Sequence, residues 1–331
     1  MEVKARECPG RTYLCTVPLT RLRTSPLPVS KLGLIPRMSF RLEMLQVARV
    51  APKLLGDSAA LVADFLRSRQ HPDGGFLDRN DRPDLYYTVF GIEGLMALQQ
   101  PLPADALRAW LRSFGEGEGL DFVHLSCLAR CWAGLGSKDF PETSRQPLAS
   151  RIEAYRTPDG GYHQSPGRRN GSAYGCLIAW GAYQDLGLLP PDPLSIARCM
   201  DSLETPDGAW SNEPGLSLGS TTATAAMLSL HRHLQMPAPQ ASVEWLVRQC
   251  LPGGGFLAVP GAPIPDLLST AVALHALSGD AAAIALVKEP CLDFIDSLWS
   301  AEGGFHGNWT DDTLDPEYTY YGLLALGHLA L

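Results

Sequence analysis

Two kinds of segment alternate along the chain from about residue 57 to residue 331. In the first kind, apolar residues recur every three or four positions with charged residues between them, as in "SAALVADFLRSRQ" at 58–70. This pattern predicts an amphipathic helix with one face in water. The second kind is apolar on nearly every side, as in "LYYTVFGIEGLMAL" at 85–98, and predicts a buried helix. The sequence therefore predicts pairs of one surface helix and one buried helix.

A glycine-rich turn separates the two members of most pairs. Its pattern is a pair of glycines, or Gly-Ala once, followed by an aromatic residue, with a weaker "GEGEGL" at 115–120. The aromatic residues of these turns are Phe76, Tyr162, Trp210, Phe256 and Phe305. Glycine accepts the positive φ that ends a helix, and the aromatic ring can pack back over the turn. The turns recur at a spacing of roughly 42 to 49 residues, which is typical of a repeat architecture.

Six such pairs can close into a ring, because closure removes the uncovered ends of an open stack. We predict an all-α fold, an (α/α)6 toroid, as a single domain of residues 38–331. The six buried helices would form the inner ring and begin near one mouth of a central cavity. Residues 1–37 lack the period and are basic and proline-containing. We interpret them as a disordered extension, or as a segment that precedes a true start of translation at Met38.

Composition narrows the classes of function. The chain has 331 residues and a net charge of −8, which argues against nucleic acid as the main partner. No apolar run approaches the ~20 residues of a membrane span, and no secretory signal is recognisable. The eight cysteines include no C-x-x-C pair, which favours buried thiols in a reducing compartment. We therefore predict a cytoplasmic protein.

The turn in "FLRSRQHPDGGF" resembles the repeat of the prenyltransferase and squalene-cyclase family, with Leu66, Gln70, Gly75 and Phe76 at the family's positions. "DPEYTYYGLLALGHLAL" and "PDLLSTAVALHAL" are similar to two segments of protein prenyltransferase β subunits. The resemblance covers about residues 57–331 and implies the toroid fold. It also implies an apolar isoprenoid substrate, with an isoprenoid diphosphate among the options, and a helical-repeat α subunit as a partner.

The zinc site that the family implies does not carry over intact. The resemblance places its aspartate on Asp266, its cysteine on Leu268 and its histidine on Tyr318. The loop before Asp266, "LAVPGAPIP", also lacks the bases that hold a diphosphate in the family. Since Zn²⁺ favours sulfur and nitrogen ligands, we expect no cofactor, with zinc as a disfavoured option. Our first hypothesis is therefore a prenyltransferase β-subunit-like protein that acts on an isoprenoid or similar apolar substrate in the central cavity without the usual zinc. Asp266 remains a candidate acid or base, and Tyr318 a candidate hydrogen-bond donor.

The acidic segment "NWTDDTLDPE" at 308–317 supports a second hypothesis, a zinc-free class II terpene cyclase. Such enzymes protonate an alkene with an aspartic acid of a D-x-D-D motif. In this chain Trp309 stands at the position of the motif's first aspartate. Asp315 and Glu317 are the catalytic candidates of this segment. The alternative is that these acids cap the last inner helix.

His124 is a further catalytic candidate, on one helix face with Cys127 and Cys131. Three such side chains could bind a metal, but two buried thiols and a hydrogen-bonded histidine explain the spacing as well.

Aromatic residues near the inner-helix starts could stabilise a carbocation in the cavity, although ordinary packing explains them equally well. The candidates for substrate binding are Tyr86, Tyr87, Tyr174 and Tyr321. Arg168 and Arg169 precede an inner helix and could bind a phosphate there, or belong to a solvated loop. The third hypothesis is a non-catalytic toroid that binds a lipid or a protein.

Overall fold

The computed structural model describes residues 38–136 and 140–331, which are almost entirely helical. The helices are α1 Phe40–Ala48, α2 Pro52–Leu55, α3 Ser58–Ser68, α4 Leu85–Ala97, α5 Ala104–Arg112, α6 Phe122–Leu135, α7 Glu142–Glu153, α8 Ala173–Asp185, α9 Pro193–Ser202, α10 Thr221–His233, α11 Gln240–Val247, α12 Leu267–Leu277, α13 Ala281–Asp296 and α14 Pro316–Leu329. Two short strands, β1 Phe76–Leu77 and β2 Pro83–Asp84, pair antiparallel with Phe76 opposite Asp84. None of the described helices combines the length and apolarity needed to cross a membrane.

The buried helices form a closed inner ring. Helices α4, α6, α8, α10, α12 and α14 each pack against the next, and α14 packs against α4. The amphipathic helices α3, α5, α7, α9, α11 and α13 surround this ring. Most residues of the inner helices are buried, and α4 and α12 are largely apolar, so a position inside the outer layer removes most apolar surface from water. The predicted all-α toroid is confirmed.

All six inner helices begin at the same end of the ring, where neighbouring helix starts contact one another, and each has a polar residue at its N-cap. The side chains of Asp84, Asp121, Ser172, Ser220, Asp266 and Asp315 accept backbone N–H groups of the first turn. Such capping satisfies donors that have no partner within the helix. We call this end of the ring the mouth. The acids at these positions are therefore structural caps first, as one alternative from the sequence had it.

The glycine turns join each repeat to the next one. A Cβ atom on Gly74 would lie 2.3 Å from the Ala106 carbonyl oxygen in α5, so only glycine allows this approach. Gly303, in the last turn, makes the same approach to Leu61 in α3, the first outer helix. The last repeat therefore packs on the first, and the aromatic residues that follow the glycines are fully buried.

Replacing Gly303 with alanine should lower the free energy of unfolding by about 2 kcal/mol, because it combines a backbone clash with strain at φ +92°. Gly261→Ala is the matched control, since Gly261 has φ +80° with no atom within 4 Å of the added Cβ. It should cost only about 1 kcal/mol. Chemical denaturation of both variants measures the difference, and equal losses would show that the contact with α3 adds nothing.

Helix α1 was not predicted from the sequence, and it closes the ring opposite the mouth. The Phe40 amide donates to Gln184 Oε1 at 3.0 Å, and the Val47 carbonyl lies against Gly327 near the end of α14. The Phe40 ring contacts His233 at the end of α10, with 3.7 Å between ring centroids. These contacts are all with the C-terminal parts of inner helices. Helix α1 is therefore the floor of the toroid.

Candidate functional site

A cavity of about 190 Å³ lies inside the ring. All six inner helices contribute to its wall, and α1 contributes its floor through Phe40, Arg41 and Met44. The cavity is the space that the sequence predicted at the centre of the toroid. Its largely apolar lining suits an apolar molecule, and a chain of about twenty carbons would also have to extend towards the mouth.

The wall of the cavity beneath the mouth is aromatic. Tyr86, Phe90, Tyr174 and Tyr321 all line it. The Phe90 ring lies edge-on to Tyr86 with 5.0 Å between centroids, and 5.4 Å from Tyr321. Three of the four predicted tyrosines are thus brought together, whereas Tyr87 packs behind Tyr86 and does not line the cavity. Phe90 was missed because it lies deeper along α4 than the helix start.

Glu317 lies next to this aromatic wall, in contact with Tyr86, but does not itself line the cavity. It is one helical turn before Tyr321 on α14, and the Tyr86 hydroxyl donates to its Oε1 at 2.5 Å. Burial raises the pKa of Glu317 to about 7, with the nearby Asp315 carboxylate adding to the rise and the Tyr86 hydrogen bond opposing it. A substantial fraction of Glu317 therefore carries a proton at neutral pH.

Asp315 is fully buried and its oxygens have partners. Its Oδ1 accepts the Tyr318 amide at 2.9 Å, and its Oδ2 accepts Arg79 Nε at 2.7 Å. Arg79 also pairs with Asp311 at 2.8 Å and covers the face of the Tyr318 ring. Asp315 therefore anchors α14 to the loop that carries Arg79. The Tyr318 side chain lies under this guanidinium, outside the lining of the cavity.

The residues at the family's zinc positions do not fit a zinc ion. Asp266 accepts the Ser269 amide and the Ser269 hydroxyl, both at 2.7 Å, one on each carboxylate oxygen. Leu268 offers no donor atom, and the Tyr318 ring packs against Gly307. Zinc sites in proteins use three or four thiolate, imidazole or carboxylate ligands. Within residues 38–136 and 140–331, no three His, Cys, Asp or Glu side chains converge on a possible metal site.

His124 is held between two N-cap carboxylates. Its Nδ1 lies 2.8 Å from Asp121 Oδ1, and its Nε2 lies 3.2 Å from Asp84 Oδ2. The hydrogen bond to Asp84 is the main reason that its pKa is raised to about 9. His124 is therefore an imidazolium that ties α4 to α6, and it is a poor base at neutral pH. Cys131 is buried with its thiol towards the Leu85 carbonyl, so the metal set with His124 is not formed.

Arg168 and Arg169 lie away from the cavity. Both are exposed on the loop before α8, in a shallow surface depression with Asn170 and Glu213. Neither guanidinium lines the cavity, so the expected role of these arginines in binding a substrate there is not supported. Their exposure agrees with the solvated-loop alternative.

The mouth is acidic. Arg79 and His124, two cations beside the inner-helix starts, are each paired with two carboxylates. The N-cap Asp266 adds a further acid. A diphosphate needs several uncompensated positive charges to leave water, so this mouth disfavours one.

Charged residues at the floor were missed from the sequence. Arg130 Nε and Nη2 donate to the two oxygens of Glu93 at 2.6 and 2.5 Å, and the Glu93 side chain is 1% exposed. Arg41 Nε donates to Asp185 at 3.3 Å. Periodicity does not reveal them, because helices buried on all sides have no polar face. The available signal was a single charge in an otherwise apolar inner helix, as with Glu93 in "LYYTVFGIEGLMAL".

Comparison with known proteins supports one family. The family model described as the prenyltransferase alpha-alpha toroid domain matches residues 41–125 and 221–330, together more than half of the chain. No curated protein matches the chain by sequence.

Several solved structures share the fold. A substituted form of the type II terpene cyclase MstE from Scytonema, in complex with its substrate geranylgeranyl dihydroxybenzoate, is 14% identical with a TM-score of 0.57, covering 85% of this chain and 97% of its own. A protein from Actinoplanes is 16% identical with a TM-score of 0.58, covering 83% and 99%. An unsaturated glucuronyl hydrolase specific for heparin is 11% identical with a TM-score of 0.51, covering 87% and 97%. At these identities the likeness shows the fold alone, and the fold accommodates very different substrates.

Proposed function

Because the chain belongs to the prenyltransferase alpha-alpha toroid domain family, we propose that it is a cyclase that protonates an isoprenoid chain bound in the central cavity. The observation that carries the proposal is Glu317, a carboxyl group with a pKa of about 7 whose Oε1 accepts the hydroxyl of Tyr86, a residue of the aromatic cavity wall. An acid whose pKa lies near the working pH is suited to proton transfer. Asp315 and Asp266 are less suited, because their oxygens are engaged in capping, in the ion pair with Arg79 or in bonds to Ser269.

The reaction would be an isomerisation in which no atom is gained or lost. The Glu317 proton adds to one carbon of an alkene, and the other carbon becomes a carbocation. The π electrons of a second alkene then form the ring bond, and the last cation loses a proton to solvent. The carboxylate regains its proton at the mouth. The faces of Tyr86, Phe90 and Tyr321 would stabilise the cation, because an aromatic ring attracts positive charge.

The acidic mouth favours a substrate without a diphosphate. The fold neighbour MstE is a type II terpene cyclase whose substrate complex contains geranylgeranyl dihydroxybenzoate, an isoprenoid of that kind. This comparison supports the substrate class, whereas prenyl transfer with zinc lacks a suitable donor set. A helical-repeat partner subunit and a cytoplasmic location stay predictions.

Incubation of the full chain with a panel of isoprenoids tests the proposal. The panel is geranylgeraniol, geranylgeranoic acid, geranylgeranyl dihydroxybenzoate and geranylgeranyl diphosphate, analysed by chromatography and mass spectrometry. We expect a product of unchanged mass with fewer double bonds from a compound without a diphosphate. Conversion of the diphosphate alone, with release of its phosphates, would contradict the proposal, as would the absence of any product and any binding.

The cyclisation rate should fall as the pH rises through about 7, because only the protonated form of Glu317 can donate. Tyr86→Phe should move this midpoint to higher pH, since the Tyr86 hydrogen bond lowers the pKa of Glu317. The midpoint of the pH–rate profile is the measurement, and it is independent of any loss of rate in the variant. A midpoint near 4.5 in the unmodified chain would show an acid without this environment.

A further inference from the structure

The floor of the cavity contains two arginines with unused hydrogen-bonding capacity. Arg130 binds Glu93 through Nε and Nη2, which leaves its Nη1 for another acceptor. The Arg130 side chain is 25% exposed even though it lies within the ring, and it lines the cavity. Its exposed surface therefore faces the cavity space.

Arg41, on α1, has a hydrogen-bond donor without a partner among the described residues. Its side chain is 10% exposed, and its Nε donates to Asp185 at the long distance of 3.3 Å. Its Nη1 is buried without a hydrogen-bond partner among the described residues, although Arg41 lines the cavity. A buried donor of a charged group that lacks a partner costs free energy. An acceptor supplied by a ligand would remove that cost once the Arg41 side chain turned its Nη1 towards the cavity, because this atom has almost no accessible surface of its own.

We propose that Arg41 and Arg130 form a head-group subsite at the floor, which binds a carboxylate or a similar singly charged group at one end of the substrate. The inference rests on the proposed function, because the rest of the substrate is taken to be the isoprenoid chain in the cavity. The distance between the floor and Glu317 agrees with a substrate that has its head at one end of the cavity and its alkene at the other. Glu93, the partner of Arg130, follows Tyr86, the partner of Glu317, by seven residues on α4, about 10 Å along the helix axis. The head would lie on the floor and the reacting alkene near Glu317.

Asp185 determines how strongly this subsite attracts an anion. Its side chain is 4% exposed, and burial raises its pKa to about 6 against the opposing charges of Arg130 and Arg41. The second carboxylate, Glu93, is occupied by both Arg130 bonds. His275 also lines the floor but stays neutral, because burial lowers its pKa well below the usual value. The two guanidiniums are therefore the groups that would hold the anion, and Asp185 competes with it.

Calorimetric titration of the full chain with geranylgeranoic acid and with geranylgeraniol tests the subsite. The two probes differ only at the head, and we expect the acid to bind at least tenfold more tightly. Arg41→Met should remove this preference and leave the affinity for the alcohol unchanged. Asp185→Asn should have the opposite effect: its affinity for the acid should rise about threefold, and its affinity for the alcohol should not change. Arg168→Met, on the exposed loop, is the matched control and should change neither affinity.

The possible outcomes separate the subsite from the proposed function. Equal affinity of the two probes would overturn the subsite, and so would a preference that neither Arg41→Met nor Asp185→Asn changes. The proposal that the cavity binds an isoprenoid would then still stand. Binding of neither probe would overturn both. Circular dichroism verifies that each variant folds. If Arg41→Met does not fold, the affinity of Asp185→Asn for the acid is decisive: tighter binding supports the subsite, and unchanged or weaker binding overturns it.

Discussion

Replacing Glu317 with glutamine should lower the rate of cyclisation by about 10²- to 10⁴-fold, which is the usual contribution of a positioned general acid. The amide has nearly the same shape and can still accept the Tyr86 hydroxyl, but it has no proton to give to an alkene. The affinity for the substrate should therefore change little. Single-turnover product formation, together with calorimetric binding of the same isoprenoid, measures the two effects separately.

Asp312→Asn is the matched control for Glu317→Gln. Asp312 is exposed in the loop before α14, and the same change from acid to amide there should leave the rate unaltered. Full activity of Glu317→Gln would exclude this residue as the acid. A large loss of binding or of thermal stability in the same variant would instead indicate a structural role.

The second large effect is on stability. Glu93→Gln should lower the free energy of unfolding by about 4 kcal/mol, because it leaves the Arg130 guanidinium inside the ring without a compensating charge. The loss comes from an unpaired charge and should exceed that of an exposed ion pair. Chemical denaturation, followed by circular dichroism, is the measurement.

An exposed pair provides the comparison for Glu93→Gln. Arg67 and Asp64 lie 2.8 Å apart on α3, with the Asp64 side chain 72% exposed, so Asp64→Asn should leave the unfolding midpoint nearly unchanged. Similar losses for Asp64→Asn and Glu93→Gln would contradict the importance of the enclosed pair. A more stable Glu93→Gln variant would show that desolvation outweighs the attraction between Glu93 and Arg130.

The fold could be predicted because its information is local and repeated. Each repeat shows an amphipathic segment, a glycine turn and an apolar segment, and a turn such as that of Gly74 needs glycine because a neighbouring carbonyl touches it. Periodicity and turn chemistry are therefore enough to give the rings and their order. Helix α1 escaped prediction because "FRLEMLQVA" precedes the repeats and carries no glycine turn.

The candidate site was predictable only in part. Tyr86, Tyr174 and Tyr321 were placed correctly near the helix starts, since every inner helix begins at the mouth. Which way a side chain faces within a helix buried on all sides depends on its neighbours, so Tyr318 and Tyr87 could not be separated from these by sequence. The bond between Glu317 and Tyr86 joins residues 231 positions apart, and no local pattern specifies it.

The contact of Gly303 with α3 also bears on how a molecule reaches the interior. Every repeat has two neighbours, so no terminal unit can swing aside as a gate, and parting two repeats would break the packing between neighbouring inner helices. The floor is covered by α1. A substrate or product should therefore enter and leave the cavity between the N-caps, beneath the loops that precede the inner helices. The rate of substrate entry and product release would then depend on loop motion, while the ring itself stays rigid.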